Sequence, residues 1–213
     1  MTERQQRRQL DSAATKDELL KRIITVTCNP PPSIYAPSDD SLLMIDVIAH
    51  LPLRGRRVLD MGTGSGILAL YCAMHGAKVT AGDIDEGAIE QVSQAAAILG
   101  AQIYACLSDL FSNINARFDL ILFNPPYLPS LGIADRSIDG GPDGTALASR
   151  FLAELPSHLA PGGEAYLLLS TVNDPASVQL RSEKLEFAVI ARKALFFEEL
   201  QVLRVRPRND LTI

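Results

Sequence analysis

At 213 residues and 47% hydrophobic, the chain has enough apolar material for one α/β domain with a well-buried core and too little for two of ordinary size. A formal charge of −5 and a pI near 5.2 argue against a broad basic face for a phosphate backbone. The three cysteines, Cys28, Cys72 and Cys106, are widely spaced with no CxxC pair, which speaks against a disulfide framework or a zinc site. No apolar stretch approaches the length of a membrane span, and the polar start Met1–Arg8 lacks the apolar core of a signal peptide, so the cytoplasm is the expected compartment.

Residues 1–22 mix Arg4, Arg7, Arg8, Lys16, Lys21 and Arg22 with Glu3, Asp11, Asp17 and Glu18, which reads as a solvated face rather than an RNA grip. Leu19, Leu20, Ile23 and Ile24 recur at helical spacing and predict one amphipathic helix after a frayed start. The run Cys28–Ser33 with its three prolines is extended linker, and Ser38-Asp39-Asp40-Ser41 supplies N-cap residues for a helix to about His50. Residues 1–33 are thus expected to form a helical leader and linker, 34–207 the domain proper, and 208–213 a tail.

From Arg56 onward short β-branched runs alternate with helical patterns. The patterning predicts strands at 56–61, 77–83, 102–107, 118–123, 163–171, 186–193 and 198–206, and helices at 65–75, 86–99, 145–159 and 175–183. Repeated βα units imply right-handed crossovers and a mainly parallel sheet with helices on both faces. The last two strands are too close in sequence for a crossover and should form an antiparallel hairpin. Gly162-Gly163 after Pro161 reads as a turn into the fifth strand.

The chemistry gathers at strand ends. Strand one runs into Asp60-Met61-Gly62-Thr63-Gly64-Ser65-Gly66, whose alternate glycines permit a tight turn and close approach of a ligand to bare backbone. A GxGxxG fingerprint would need Gly or Ala at position 67, where this chain has Ile67, which counts against nicotinamide cofactors. Asp60, Asp83 and Asp109 end three successive strands. An acid at Asp83 suits ribose hydroxyls, and one at Asp109 an adenine amino group. Three carboxylates repel a pyrophosphate and favour a cationic, phosphate-free nucleoside, a description met by S-adenosylmethionine (SAM). Strand four ends in Asn124-Pro125-Pro126-Tyr127. Prolines lack N–H groups, so this tip offers the Asn124 amide oxygen and the Pro125 carbonyl as acceptors and Tyr127 as a flat ring, which fits a planar –NH2 group.

These residues, with Ile34-Tyr35-Ala36-Pro37-Ser38-Asp39-Asp40-Ser41 and the Gly140–Gly144 loop, resemble the class I SAM-dependent methyltransferases, and within them the HemK family that methylates a release-factor glutamine amide. The likeness spans about residues 34–206 and is nearest to the compact archaeal and eukaryotic branch. It implies a Rossmann-like fold: a seven-stranded, mostly parallel sheet with an antiparallel C-terminal hairpin. It further implies that Tyr35 and Pro37 close over the cofactor, that Ser41 and its helix end receive the methionine carboxylate, and that Asp60 and the Gly62 region hold the ammonium. In the same resemblance Gly64 and Gly66 belong to the glycine turn, Ile84 forms an apolar wall and Leu110 supplies a backbone amide to adenine. Asn124, Pro125 and Tyr127 form the catalytic tip, and no metal is expected. Compact relatives work with a small zinc-ribbon activating subunit along a sheet edge, for which 102–107 is the candidate strand. An RNA guanine or adenine amine methyltransferase and a non-catalytic SAM-binding module are the competing readings. His50, His75 and His158 all fall near helix ends, where structural roles are expected. Cys72 and Cys106 read as small core residues.

Overall fold

The computed structural model describes residues 17–126, 145–173 and 183–208. The expected helix at 175–183, Tyr127, the Gly140–Gly144 loop and the C-terminal tail from 209 fall wholly or almost wholly outside them. In chain order the elements are helix α1 (17–27), α2 (Asp39–Ile48), β1 (Arg57–Met61), α3 (Ile67–Met74), β2 (Lys78–Asp83), α4 (Glu86–Leu99) and β3 (Ile103–Leu107). There follow β4 (Phe118–Phe123), α5 (Ala146–His158), β5 (Leu159–Ser170), a 3-10 turn at Thr171–Asn173, β6 (Leu185–Ala194) and β7 (Glu199–Pro207).

The seven strands form one sheet in the order β3-β2-β1-β4-β5-β7-β6. β1 to β5 run parallel, and β7 is antiparallel to both β5 and β6, which delivers the expected C-terminal hairpin. Chain order departs in opposite directions from β1, toward β2 on one side and β4 on the other. This is the topological switch point, where ligands bind beyond the carboxyl ends of the strands.

Alternation along each strand splits the core in two. Val58, Leu120, Leu122, Leu168 and Val202 face one side, where they pack with Met44, Leu70, Val92 and Ile23 of α2, α3, α4 and α1. Leu59, Ile121, Phe123, Leu167 and Leu203 face the other and pack with Phe151 and Leu155 of α5 and with Phe111. Ile23 is completely buried, so the helix over 17–27 packs on the domain core.

The fifth strand begins earlier than its sequence suggests, at Leu159 instead of 163, and runs through Pro161-Gly162-Gly163. Gly163 is the reason. A Cβ there would lie 2.7 Å from the Phe118 carbonyl oxygen, so the missing side chain lets two backbones close in around a bulge rather than make a turn. Cys72 is fully buried in α3 as expected, and burial pushes its thiol well above the ordinary range. Cys106 is only half-buried on the edge strand β3. His75 stacks on Tyr71 and His158 on Phe111, the second with ring centroids 4.1 Å apart, in keeping with structural roles.

Candidate functional site

A cavity of about 820 Å3 opens at the carboxyl edge, walled by the tips of β1, β2 and β4, the segments following β3 and preceding α2, and one face of α5. Its wall carries Asp40, Asp60, Asp83, Asp85, Glu86 and Asp109 against a single described cation, Arg150. The sequence-predicted Tyr35, Ser41, Asp60, Gly62, Gly64, Asp83, Ile84, Asp109, Leu110, Asn124 and Pro125 all lie on it.

Asp60, at the fourth position of β1, is buried to 1% exposure. Its Oδ2 accepts from Thr63 Oγ1 at 2.8 Å and from the Ala69 N–H at 3.0 Å in the first turn of α3, while Oδ1 makes no hydrogen bond among the described residues. Burial disfavours the charged carboxylate and raises its pKa to about 7, and the nearby Asp83 charge adds to the rise against those two bonds. Asp83 ends β2. Its Oδ2 accepts from the Gly64 N–H at 2.9 Å and its Oδ1 from the Asp85 N–H at 3.0 Å, so it also ties the glycine turn to the second strand. Burial raises its pKa as well.

The glycine turn performs two separate tasks. Gly62 and Gly64 adopt positive φ, at 63° and 50°, and a Cβ at Gly64 would meet no atom closer than 4.0 Å, so bare backbone faces the cavity there. Gly66 does not line the cavity. It caps α3 at φ 83°, and an added Cβ would strike Val92 Cγ2 of α4 at 2.7 Å. Gly66 is thus a packing glycine set off the cavity wall.

At the segment before α2, Tyr35 Oη and Ser38 Oγ share a hydrogen bond of 2.7 Å, and Ser38 Oγ donates to Asp40 Oδ1 at 2.9 Å. The same Asp40 oxygen takes the Ser41 amide and its hydroxyl. Ser41 is therefore on the wall, but a buried carboxylate already holds both donors expected to meet a ligand carboxylate; an incoming anion must compete with Asp40. Pro37 stands off the wall.

Leu110 carries a rare non-glycine positive φ of 47°. Its carbonyl accepts from Ser108 Oγ at 2.7 Å, and its N–H donates to no acceptor among the described residues. Asp109 is paired with Arg150 of α5 at 2.9 Å. Sequence reading missed Arg150 because a lone arginine on an amphipathic helix looks like solvated surface; only the topology brings it, with Leu147, beside the third strand's acid.

Asn124 follows β4 directly. Its Oδ1 is buried and has no hydrogen-bond partner among the described residues. A buried amide oxygen without a donor costs on the order of 1–3 kcal/mol, so this acceptor is kept for something that brings its own hydrogen. Pro125, next to it, is buried and cannot donate.

Comparison with known proteins gives the following. Residues 39–197 match the family described as Methyltransferase small domain. A Methanocaldococcus jannaschii protein assigned as a protein N5-glutamine methyltransferase is 35% identical over 181 residues, covering 81% of this chain and 91% of that protein. The release factor glutamine methyltransferase of Gloeobacter violaceus is 31% identical over 206 residues, covering 86% of this chain and 71% of its own. In three dimensions the chain is similar to one in the E. cuniculi Mtq2–Trm112 complex, responsible for methylation of the eRF1 translation termination factor. The TM-score is 0.69 at 24% identity, over 83% of this chain and 99% of that one, a likeness of fold.

Proposed function

The chain belongs to the methyltransferase small-domain family, and we propose that it is a SAM-dependent N-methyltransferase that modifies a planar side-chain amide, the glutamine of the Gly-Gly-Gln motif in a translation release factor. The observation that carries this reading is Asn124 Oδ1, a buried acceptor without a donor at the β4 tip, on the wall of the same acidic cavity. The names of the Methanocaldococcus and Gloeobacter relatives support the glutamine amide as acceptor.

The cavity suits SAM. Its volume of about 820 Å3 is in the range of small-molecule sites, roughly 300–1,000 Å3. Its carboxylates favour a ligand with positive charge and no phosphate. In this assignment Asp60 Oδ1 and the Gly62–Gly64 backbone hold the methionine ammonium, Asp83 the ribose hydroxyls, and Ile84 and the Leu110 N–H the adenine, with Asp109 steadied by Arg150. Tyr35 covers the site. When bound, SAM supplies an electrophilic methyl group on a sulfonium.

The chain's own contribution is to position the acceptor. An amide nitrogen is a poor nucleophile because its lone pair is delocalised into the carbonyl. Asn124 Oδ1 and the Pro125 carbonyl can accept both of its N–H hydrogens, which raises electron density on nitrogen and fixes the amide plane. Tyr127 would pack on that plane. No strong base is needed, because the methylated nitrogen is acidic and passes its proton to water or Asn124. Among the described residues no histidine lines the cavity.

Asn124→Ala should lower methyl transfer to an intact release factor by roughly a hundredfold or more, with the SAM dissociation constant unchanged within about twofold. Equal loss of binding and transfer, by calorimetry and a tritium-transfer assay, would reduce Asn124 to a cofactor-pocket residue.

We further propose an activating subunit of zinc-ribbon type on β3. That strand is one of the two edges of the sheet, and Tyr104, at 68% exposure, stands with Leu107 and Ile98 on or beside it. The E. cuniculi neighbour is itself described in a complex. Full activity of the isolated chain as a monomer would remove the need for such a subunit.

A further inference from the structure

Apart from Tyr35 and Ile84 on the cavity wall, two groups of exposed apolar side chains stand near opposite edges of the sheet. One group, around Tyr104, borders β3. The other sits at the tip of the β6–β7 hairpin, where Phe196 and Phe197 are 92% and 90% exposed and pack edge-to-face on each other with centroids 4.6 Å apart. Two phenylalanines left in water at one loop tip are unusual for a soluble surface.

Strand register fixes where that tip lies. Phe123 of β4 is level with Leu167 of β5, so Pro126 falls level with Ser170. Ser170 pairs with Leu200 of β7, which in turn faces Lys193 of β6. The turn at 195–198 therefore stands at the carboxyl edge, beside the Asn124 tip. With strands about 4.8 Å apart, β7 is about 10 Å and β6 about 14 Å from β4.

The tip is also fastened to the cover of the cavity. Lys193 Nζ bonds Asp39 Oδ1 at 3.1 Å, and Glu198 takes the Ser170 hydroxyl. A second hollow of about 360 Å3 runs between Tyr35 and Ser38 on one side and Leu195 and Glu198 on the other. Arg192 pairs with Glu199 at 2.9 Å. The charges around the pair thus have partners, and its complement is an apolar surface.

We propose that Phe196 and Phe197 form a docking anchor for the protein substrate, gripping an apolar patch of the domain that presents the methyl-accepting side chain to Asn124. This rests on the protein-methylation reading. Two phenylalanines bury roughly 150–250 Å2 each, well short of the ~800 Å2 per partner of a stable interface. That area suits one anchor of a transient enzyme–substrate complex and is too small to hold a second copy of the chain.

The test uses F196S/F197S in the full chain, with its activating subunit if one is required, and an intact Gly-Gly-Gln release factor as substrate. The KM for the release factor should rise at least about tenfold, while kcat at saturation and the SAM dissociation constant stay within about twofold. F196L/F197L, which keeps apolar contact, should recover most of the loss. An unchanged KM in an otherwise active enzyme overturns the anchor alone. Failure of the parent chain to methylate any such factor overturns the substrate reading and the anchor with it. If light scattering finds a parent dimer that the double substitution dissolves, the pair is a self-association surface and the proposal fails.

Discussion

Affinity for SAM should fall about fivefold between pH 7 and pH 6, and Asp60→Asn should remove most of that slope. Asp60 is wholly buried, and its pKa is raised from 3.8 to about 7. A cationic ligand at Oδ1 binds the ionised form, so the apparent dissociation constant scales with 1 + 10^(pKa − pH). That factor is about 11 at pH 6 and about 2 at pH 7, a span of about 1 kcal/mol. The ligand cannot be the source of the weakening, because an α-amino group with a pKa of about 7.7–8.0 stays charged below pH 7. Isothermal titration in two buffers of different ionisation enthalpy should register about half a proton released at pH 7. Folding stability without ligand runs the other way. The folded state holds the Asp60 proton more tightly than the unfolded chain, so this group's contribution is most favourable below about pH 4 and declines as pH rises toward 7. A dissociation constant unchanged within twofold from pH 6 to 7, or a full slope retained in Asp60→Asn, would refute the assignment.

Two further substitutions test the scaffold. Gly66→Ala places a methyl 2.7 Å from Val92 Cγ2 at a φ of 83°, and urea unfolding should show a loss of about 2–4 kcal/mol from overpacking and left-handed strain; Val92→Ala in the same chain should return part of it. Ile23→Ala should cost about 2–5 kcal/mol, because Ile23 is fully buried in the core; a neutral result would mean that 17–27 is dispensable to the domain.

Much of the site was legible in the sequence because parallel strands fix direction. Once β1, β2 and β4 are recognised, their last residues share one edge, and the strands found at Arg57–Met61, Lys78–Asp83 and Phe118–Phe123 differ little from those expected. Cβ-level packing was less legible. Nothing in Gly62-Thr63-Gly64-Ser65-Gly66 says that the third glycine answers to Val92 of the next helix while the second faces the cavity. Gly163 misled for a related reason: glycine signals a turn or a close approach equally well, and the Phe118 carbonyl that decides between them is 45 residues earlier in the chain. Arg150 and the Phe196–Phe197 tip were invisible because their importance comes only from which strand tips they stand beside.

The same electrostatics accounts for selectivity. Burial and the Asp83 charge both oppose ionisation of Asp60, and the two bonds at Asp60 Oδ2 offset only part of that cost. Without ligand the arrangement is destabilising, and a site evolved for a neutral nucleoside would have no reason to keep it. A ligand with a sulfonium and an ammonium relieves it, whereas a dinucleotide pyrophosphate would add anionic charge to the same wall and deepen the penalty. The carboxylates that weaken the empty fold thus reject phosphate-bearing cofactors. The glycine turn alone would not, because its bare backbone and helix end favour an anion.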